Sequence, residues 1–237
     1  MNIYAIGDLH LSGDPPSKPM EIFGDHWAGH KEKIKNNWLQ TVHEDDVVIV
    51  CGDISWAMGL ENVAEDLAWL KELPGRKLLL RGNHDYWWTS LKKMQAAYGK
   101  DFEFIQNNCT MIGDVAICGT RGWILPTAES FTEEDKKIYE REAIRLKMSL
   151  DDAKKANAKE IICALHYPPL FAPEEESLFT NLLEEYGVKH CIYGHIHGLD
   201  HVLTFEGERK GVNYKLTSCD TQEFKLYEIM STDTKTI

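Results

Sequence analysis

The sequence predicts a layered α/β fold, and three observations carry that reading. Short apolar runs of strand composition recur along the chain, segments with helical apolar spacing lie between them, and residues capable of chemistry cluster just after the apolar runs. The 237 residues suffice for one large domain. No repeat, low-complexity tract or linker divides them, so a single domain over 1–237 is expected.

The first run, "NIYAI" at 2–6, reads as a strand, with no basic region or cleavage site of a secretory leader before it. The stretch 12–30, "SGDPPSKPMEIFGDHWAGH", reads as a loop with three prolines. A loop that long inside a compact domain is expected to be functional, here by covering the site. Ile34, Trp38 and Val42 recur at helical spacing, "DVVIVC" at 46–51 reads as the next strand, and Leu60, Val63, Leu67 and Leu70 mark a second helix. "KLLL" at 77–80 is a third strand, and 102–118 reads as short strands around turns, closing with "VAIC" at 115–118. Residues 132–156 form the longest helical pattern, in which Tyr139, Ala143, Leu146, Leu150 and Ala153 step by four and three. "EIICAL" at 160–165 and "HCIY" at 190–193 follow as strands, and 201–229 reads as three more: "HVLTFEG", "GVNYKLTS" and "FKLYEIM". Strands that alternate with helices, followed by strands joined by turns, predict mixed sheets.

Bulk properties narrow the function. The composition, 43% hydrophobic and 27% charged, is that of a globular protein, and no apolar run approaches the roughly 18 residues of a membrane span. Cys51, Cys118, Cys163 and Cys191 lie in apolar runs, and no C-x-x-C pair is present, which argues against a redox motif or a thiolate metal site. A cytoplasmic protein is expected. The net charge of −12 disfavours extended nucleic acid and anionic membrane as partners. A small phosphorylated substrate stays compatible with it, because a bound metal reverses the local sign.

What ends each strand is the most informative feature. "NIYAI" runs into Gly7-Asp8-Leu9-His10, "VVIVC" into Gly52-Asp53, and "KLLL" into Arg81-Gly82-Asn83-His84-Asp85. "IICAL" runs into His166-Tyr167-Pro168-Pro169, and "HCIY" into Gly194-His195-Ile196-His197, where alternation sets both imidazoles on one face. Any one of these segments is a common turn or tripeptide. Five strand ends that each deliver a metal-ligand side chain, using five of the ten histidines, are a joint pattern, and ligands of α/β sheets gather at those ends.

In this order the segments resemble the motif set of the calcineurin-like metallophosphoesterase superfamily, in its uncapped bacterial form, over residues 8–197. The resemblance implies a four-layer αββα sandwich, two stacked mixed sheets flanked by helices, with a dinuclear metal site at the carboxyl edge. It implies Asp8, His10 and His197 on one metal, Asn83, His166 and His195 on the other, and Asp53 bridging them. Two divalent ions of manganese, iron or zinc suit this nitrogen and oxygen ligand set, with manganese taken first. They outweigh the two carboxylates and a bridging hydroxide, leaving a net positive site for a phosphoryl group inside an acidic protein. The reaction expected is hydrolysis of a phosphate mono- or diester by attack of that hydroxide.

Beside the ligands, His84 is expected to protonate the leaving group, with Asp85 orienting its ring. Arg121, in "GTRGW", is a candidate for a substrate phosphate. Trp27, Trp56, Trp87, Trp88 and Trp123 all lie in or just beyond segments leaving this edge. Trp27 and Trp88 are candidates to stack a flat ring, and His26 is a further candidate contact from the 12–30 loop. A nuclease of the same superfamily and a non-catalytic scaffold of the same fold are the competing readings.

Overall fold

The computed structural model describes residues 1–231; positions 232–237 of the expected domain lie outside the described residues. Strand β1 (Asn2–Ile6) shows why the runs are apolar throughout. Ile3 and Ala5 face a core layer shared with β2 (Val47–Val50) and β3 (Arg76–Leu80), while Tyr4 and Ile6 face a second layer beneath helices. A strand buried on both faces has no polar side to alternate with.

The first sheet is completed by β4 (Glu103–Ile105) and runs β11-β1-β2-β3-β4, where β11 (Tyr227–Ser231) is its one antiparallel edge. The second sheet runs β5-β6-β7-β8-β10-β9. Its members are β5 (Cys109–Ile112), β6 (Val115–Thr120), β7 (Glu160–Leu165), β8 (His190–Tyr193), β9 (Gly207–Arg209) and β10 (Val212–Leu216). The β6-β7-β8-β10 centre is parallel, and both edges are antiparallel. The sheets stack through Ile3, Ile49, Leu78 and Leu80 of one against Ile117, Ile162 and Ile192 of the other. Helices α1 (His30–Thr41), α2 (Ala64–Lys71) and α3 (Leu91–Tyr98) cover the outer face of the first sheet; α4 (Glu133–Lys155) and α5 (Leu178–Glu185) cover that of the second. The fold is thus the expected sandwich of two mixed sheets between helices.

Local chemistry sets the helix ends. Thr132 and Asp135 form a reciprocal capping box at the start of α4, whose first turn is acidic and whose last turn carries Lys154 and Lys155. Ser177 and Thr180 do the same for α5, a helix too short to stand out by periodicity. The expected strand over 201–207 is corrected: Gly198–Leu203 is a 3-10 turn with Val202 and Leu203 exposed, and only Gly207 enters β9. Those apolar residues have no sheet neighbour to pack against, so their β propensity does not decide. The 12–30 loop contains two short 3-10 turns, Met20–Phe23 and Asp25–Trp27.

Leu146 and Ile144 separate the buried and solvent faces of α4: Leu146 is fully buried, whereas Ile144 is 62% exposed. Leu146→Ala is expected to lower stability by about 2–5 kcal/mol, and Ile144→Ala to change it by less than about 0.5 kcal/mol, both read from urea unfolding midpoints.

Candidate metal centre

The two sheets meet at their carboxyl edge. Beyond β1, the Gly7 N–H donates to Thr217 O (2.7 Å) and the Cys219 N–H donates to Gly7 O (3.0 Å), joining the end of β1 to the end of β10. The chain leaving β1 then runs beside the chain leaving β2: Asp8 N donates to Gly52 O and His10 N to Asp53 O, both at 2.9 Å. These hydrogen bonds bring strand ends from both sheets to one place.

Their backbone is strained where the chemistry sits. Asp8, His10, Asp53 and His195 have φ of 61°, 47°, 50° and 76°, a left-handed conformation that L side chains rarely adopt. Each costs about 1–3 kcal/mol and persists only where the surroundings over-determine it. Glycine would remove the strain but also the carboxylate or imidazole. Glycine is instead used where side chains must come close: a Cβ on Gly82 would collide with Asp53, and one on Gly194 with Asp8.

The expected ligands converge. His10 Nε2 lies 3.3 Å from His197 Nε2, and His197 Nε2 lies 3.5 Å from Asp8 Oδ1. Asp53 Oδ2 lies 3.5 Å from His166 Nε2 and 3.9 Å from His10 Nε2, between two groups of ligand atoms. His166 Nε2 is 2.6 Å from Asn83 Oδ1, and its Nδ1 lies 2.9 Å from the Cys51 carbonyl oxygen, leaving Nε2 to face the cluster. The His195 ring packs edge-on against that of His166, with centroids 5.1 Å apart, and the His195 backbone N–H donates to Asp8. Two sets of donor atoms are close enough to hold an ion each: Asp8, His10 and His197, and Asp8, Asp53 and His166.

The electrostatics are those of a site built for cations. Burial and the neighbouring Asp8 push the Asp53 carboxyl up to about 8. Burial acts to raise Asp8, but His197, His166 and His10 together outweigh it and hold that carboxyl low. His197 is itself pushed up to about 10, because Asp8 and Asp220 overcome the opposing effect of burial. Burial and neighbouring imidazoles hold His10 well below the ordinary range and His195 at about 3, so both offer neutral nitrogen. His10 Nδ1 is buried without a hydrogen-bond partner. Neither Lys nor Arg pairs with Asp8 or Asp53 among the described residues. Two buried carboxylates beside imidazoles, of which His10 and His195 are neutral, with no lysine or arginine paired to them, fit divalent metal.

Around the cluster the expected contacts are partly redistributed. His84 has no hydrogen-bond partner at Nδ1; its ring lies 4.3 Å from that of Trp56 and 5.9 Å from that of His10, and burial and Lys18 lower its pKa. The expectation that Asp85 orients this ring is corrected. Asp85 is fully buried, and its Oδ1 accepts from Ile54 N, Ser55 N and Trp87 Nε1 while Oδ2 accepts from Gly82 N. It therefore locks the loop after β2 to the loop after β3.

The carboxylate that does orient an imidazole is Asp220, which the sequence reading missed. Its Oδ1 lies 2.9 Å from His197 Nδ1, and its Oδ2 accepts from Gly198 N at 2.8 Å. His26 reaches the same group, with Nε2 3.8 Å from Asp220 Oδ2. A signal was present, since Asp220 follows the strand "GVNYKLTS" as Asp8 and Asp53 follow theirs.

Trp27 is buried against His10 and His197, at 6.0 and 5.6 Å between centroids, and lines the cavity over the cluster. Trp88 is corrected: it points into the core against Trp87 and Phe104. Arg121 stacks on Trp123 at 4.4 Å and lies 3.9 Å from Glu142, while Tyr167 stands between Trp123 and His195. The 12–30 loop contributes Met20, Phe23, His26 and Trp27 to the cavity of about 490 Å³ over the cluster.

The sequence profile of the calcineurin-like phosphoesterases matches residues 1–199, and the chain belongs to that family. The gene 66 proteins of Mycobacterium phages D29 and L5 are 35% and 34% identical to it over 86 residues, which is 35% of this chain and only 40% of the phage proteins. The structure is similar to that of a Thermus thermophilus protein, with a TM-score of 0.56 and 13% identity over 95% of this chain and 96% of that one. It is also similar to a protein of unknown function from Aquifex aeolicus, with a TM-score of 0.50 and 16% identity over 96% and 95% of the two chains. At these identities the structural likeness concerns the fold alone.

Asp220 has a testable role. A carboxylate that fixes the tautomer of a metal-binding imidazole is typically worth about 10- to 100-fold in metal affinity. Asp220→Ala is expected to weaken metal binding by about that factor, measured by competition with a chromogenic chelator, while the protein remains folded.

Proposed function

We propose that this protein is a dinuclear-metal-dependent phosphoesterase acting on a small phosphate mono- or diester. The observation that carries this reading is the convergence of Asp8, Asp53, His10, His166 and His197, with Asn83 and the His195 ring packed against His166, where two sheets join. Asp8, His10 and His197 would hold one divalent ion; Asn83, His166 and His195 would hold the other, and Asp53 would serve both. Ions bound there would supply Lewis acidity toward the phosphoryl oxygens and acidify a water molecule at neutral pH.

The protein's own groups do the rest. Asp8 and Asp53 supply the negative charge, and the imidazoles and Asn83 add ligand atoms without adding more. His84, whose side chain lines the cavity, would hold the proton for the departing oxygen. The buried Asp85 keeps the two loops that carry Asp53 and Asn83 in register. Arg121, stacked on Trp123, is a candidate contact for a substrate phosphate.

Among the described residues no helix is long and apolar enough to cross a membrane. The six cysteines are free, which fits a reducing, cytoplasmic setting. The net charge of −12 favours a small phosphorylated substrate over extended nucleic acid.

Manganese-supplemented protein is expected to hydrolyse a phosphoester from a panel of monoesters and diesters, and to lose that activity on chelation. His84→Asn should cut turnover by about 10²- to 10⁴-fold on alkyl phosphoesters, whose alkoxide needs a proton, and much less on p-nitrophenyl esters. Equal losses on both, or lost metal in the variant, would assign His84 a structural role instead.

A further inference from the structure

The cavity that holds the ligand cluster has an apolar side that hydrolysis alone does not require. Trp56 stands there as a fixed platform. It stacks on His10, with ring centroids 4.8 Å apart and planes 19° apart, and its Nε1–H points to Met20 Sδ at 3.4 Å. The Phe23 ring lies nearly parallel to it, 15° between planes and 6.4 Å between centroids, although Phe23 is 53% exposed. Lys18 Nζ lies over the face of Trp56, 3.1 Å from its ring centroid and 5.2 Å from that of Phe23, and occupies part of the space between the rings.

Position relative to His84 gives this arrangement a direction. The His84 and Trp56 rings are 4.3 Å apart, so an alcohol that departs past His84 departs along Trp56. A flat ring held between two others needs about 7 Å between their planes, twice a carbon–carbon contact. The two nearly parallel rings have centroids 6.4 Å apart, and an outward movement of the half-exposed Phe23 would open that spacing between their planes. Displacing the ammonium of Lys18 from the Trp56 face would leave it beside the edge of the incoming ring, where a carbonyl oxygen would accept from it.

We propose that Phe23 and Trp56 clamp a planar, heteroaromatic ring on the leaving alcohol, with Lys18 donating to an acceptor at the ring edge. The substrate class is then a phosphoester of a nucleoside-like alcohol. The inference rests on the phosphoesterase reading for the orientation of the substrate, while the clamp itself is a feature of the cavity.

Two measurements on the full chain separate the two ideas. In calorimetry, inosine is expected to bind and ribose not to, with Phe23→Ala abolishing inosine binding and Phe23→Tyr restoring it. In manganese-dependent kinetics, the preference in kcat/KM for inosine 5′-monophosphate over ribose 5-phosphate should fall roughly fivefold in Phe23→Ala. Inosine binding that depends on an aromatic ring at position 23, without hydrolysis of any phosphoester, supports the clamp and contradicts the phosphoesterase reading. Hydrolysis with no ring preference, or a preference unchanged in Phe23→Ala, overturns the clamp alone.

Discussion

Two buried carboxylates, Asp8 and Asp53, held at the join of two sheets, are the constraint on which the site depends. Burial, and then the neighbouring Asp8, disfavour the charge on Asp53 and push its carboxyl up to about 8. The surrounding structure is organised to hold them there regardless. Asp8 and Asp53 lie on backbone in the left-handed region, Gly82 and Gly194 leave room for them, and the hydrogen bonds between the chains leaving β1 and β2 fix their spacing. Imidazoles, not lysines or arginines, face them, with His197 paired to Asp8 and His166 beside Asp53.

The fold serves this constraint through topology. Parallel strands in both sheets point their carboxyl ends the same way, and the Gly7–Ser218 bridge ties the two edges together. The Asp85 carboxylate, with four hydrogen bonds to the neighbouring loops, continues the same logic one layer further out. Asp220 does so behind His197. The aromatic side of the cavity comes instead from the 12–30 loop and from Trp56, which are positioned by packing and not by the sheets.

Much of this was legible in the sequence because it rests on local pattern. A strand buried on both faces must be apolar throughout, so "NIYAI", "VVIV" and "IICAL" announce themselves, and the polar residues that end them stand out by contrast. The His195-x-His197 pair and Asp8-x-His10 were found this way. Three-dimensional partners were not. Asp85 follows His84 in sequence, yet its carboxylate turns away to loop N–H groups, a choice that only the packing of Trp87 and Ser55 reveals. Trp88 and Trp56 look alike as residues beyond strand ends, but one fills the core under α3 and the other faces the cavity. The 201–206 stretch has strand composition without a neighbouring strand to pair with.

The most direct test of this account is the number of metal ions bound. Protein saturated with manganese, freed of excess by dialysis and measured by inductively coupled plasma mass spectrometry, should carry close to two ions per chain. Asp53→Asn, which removes the charge placed between the two groups of ligand atoms, should lose affinity for both while remaining folded. One ion or none at saturation, or two ions held as tightly without the Asp53 charge, would contradict it.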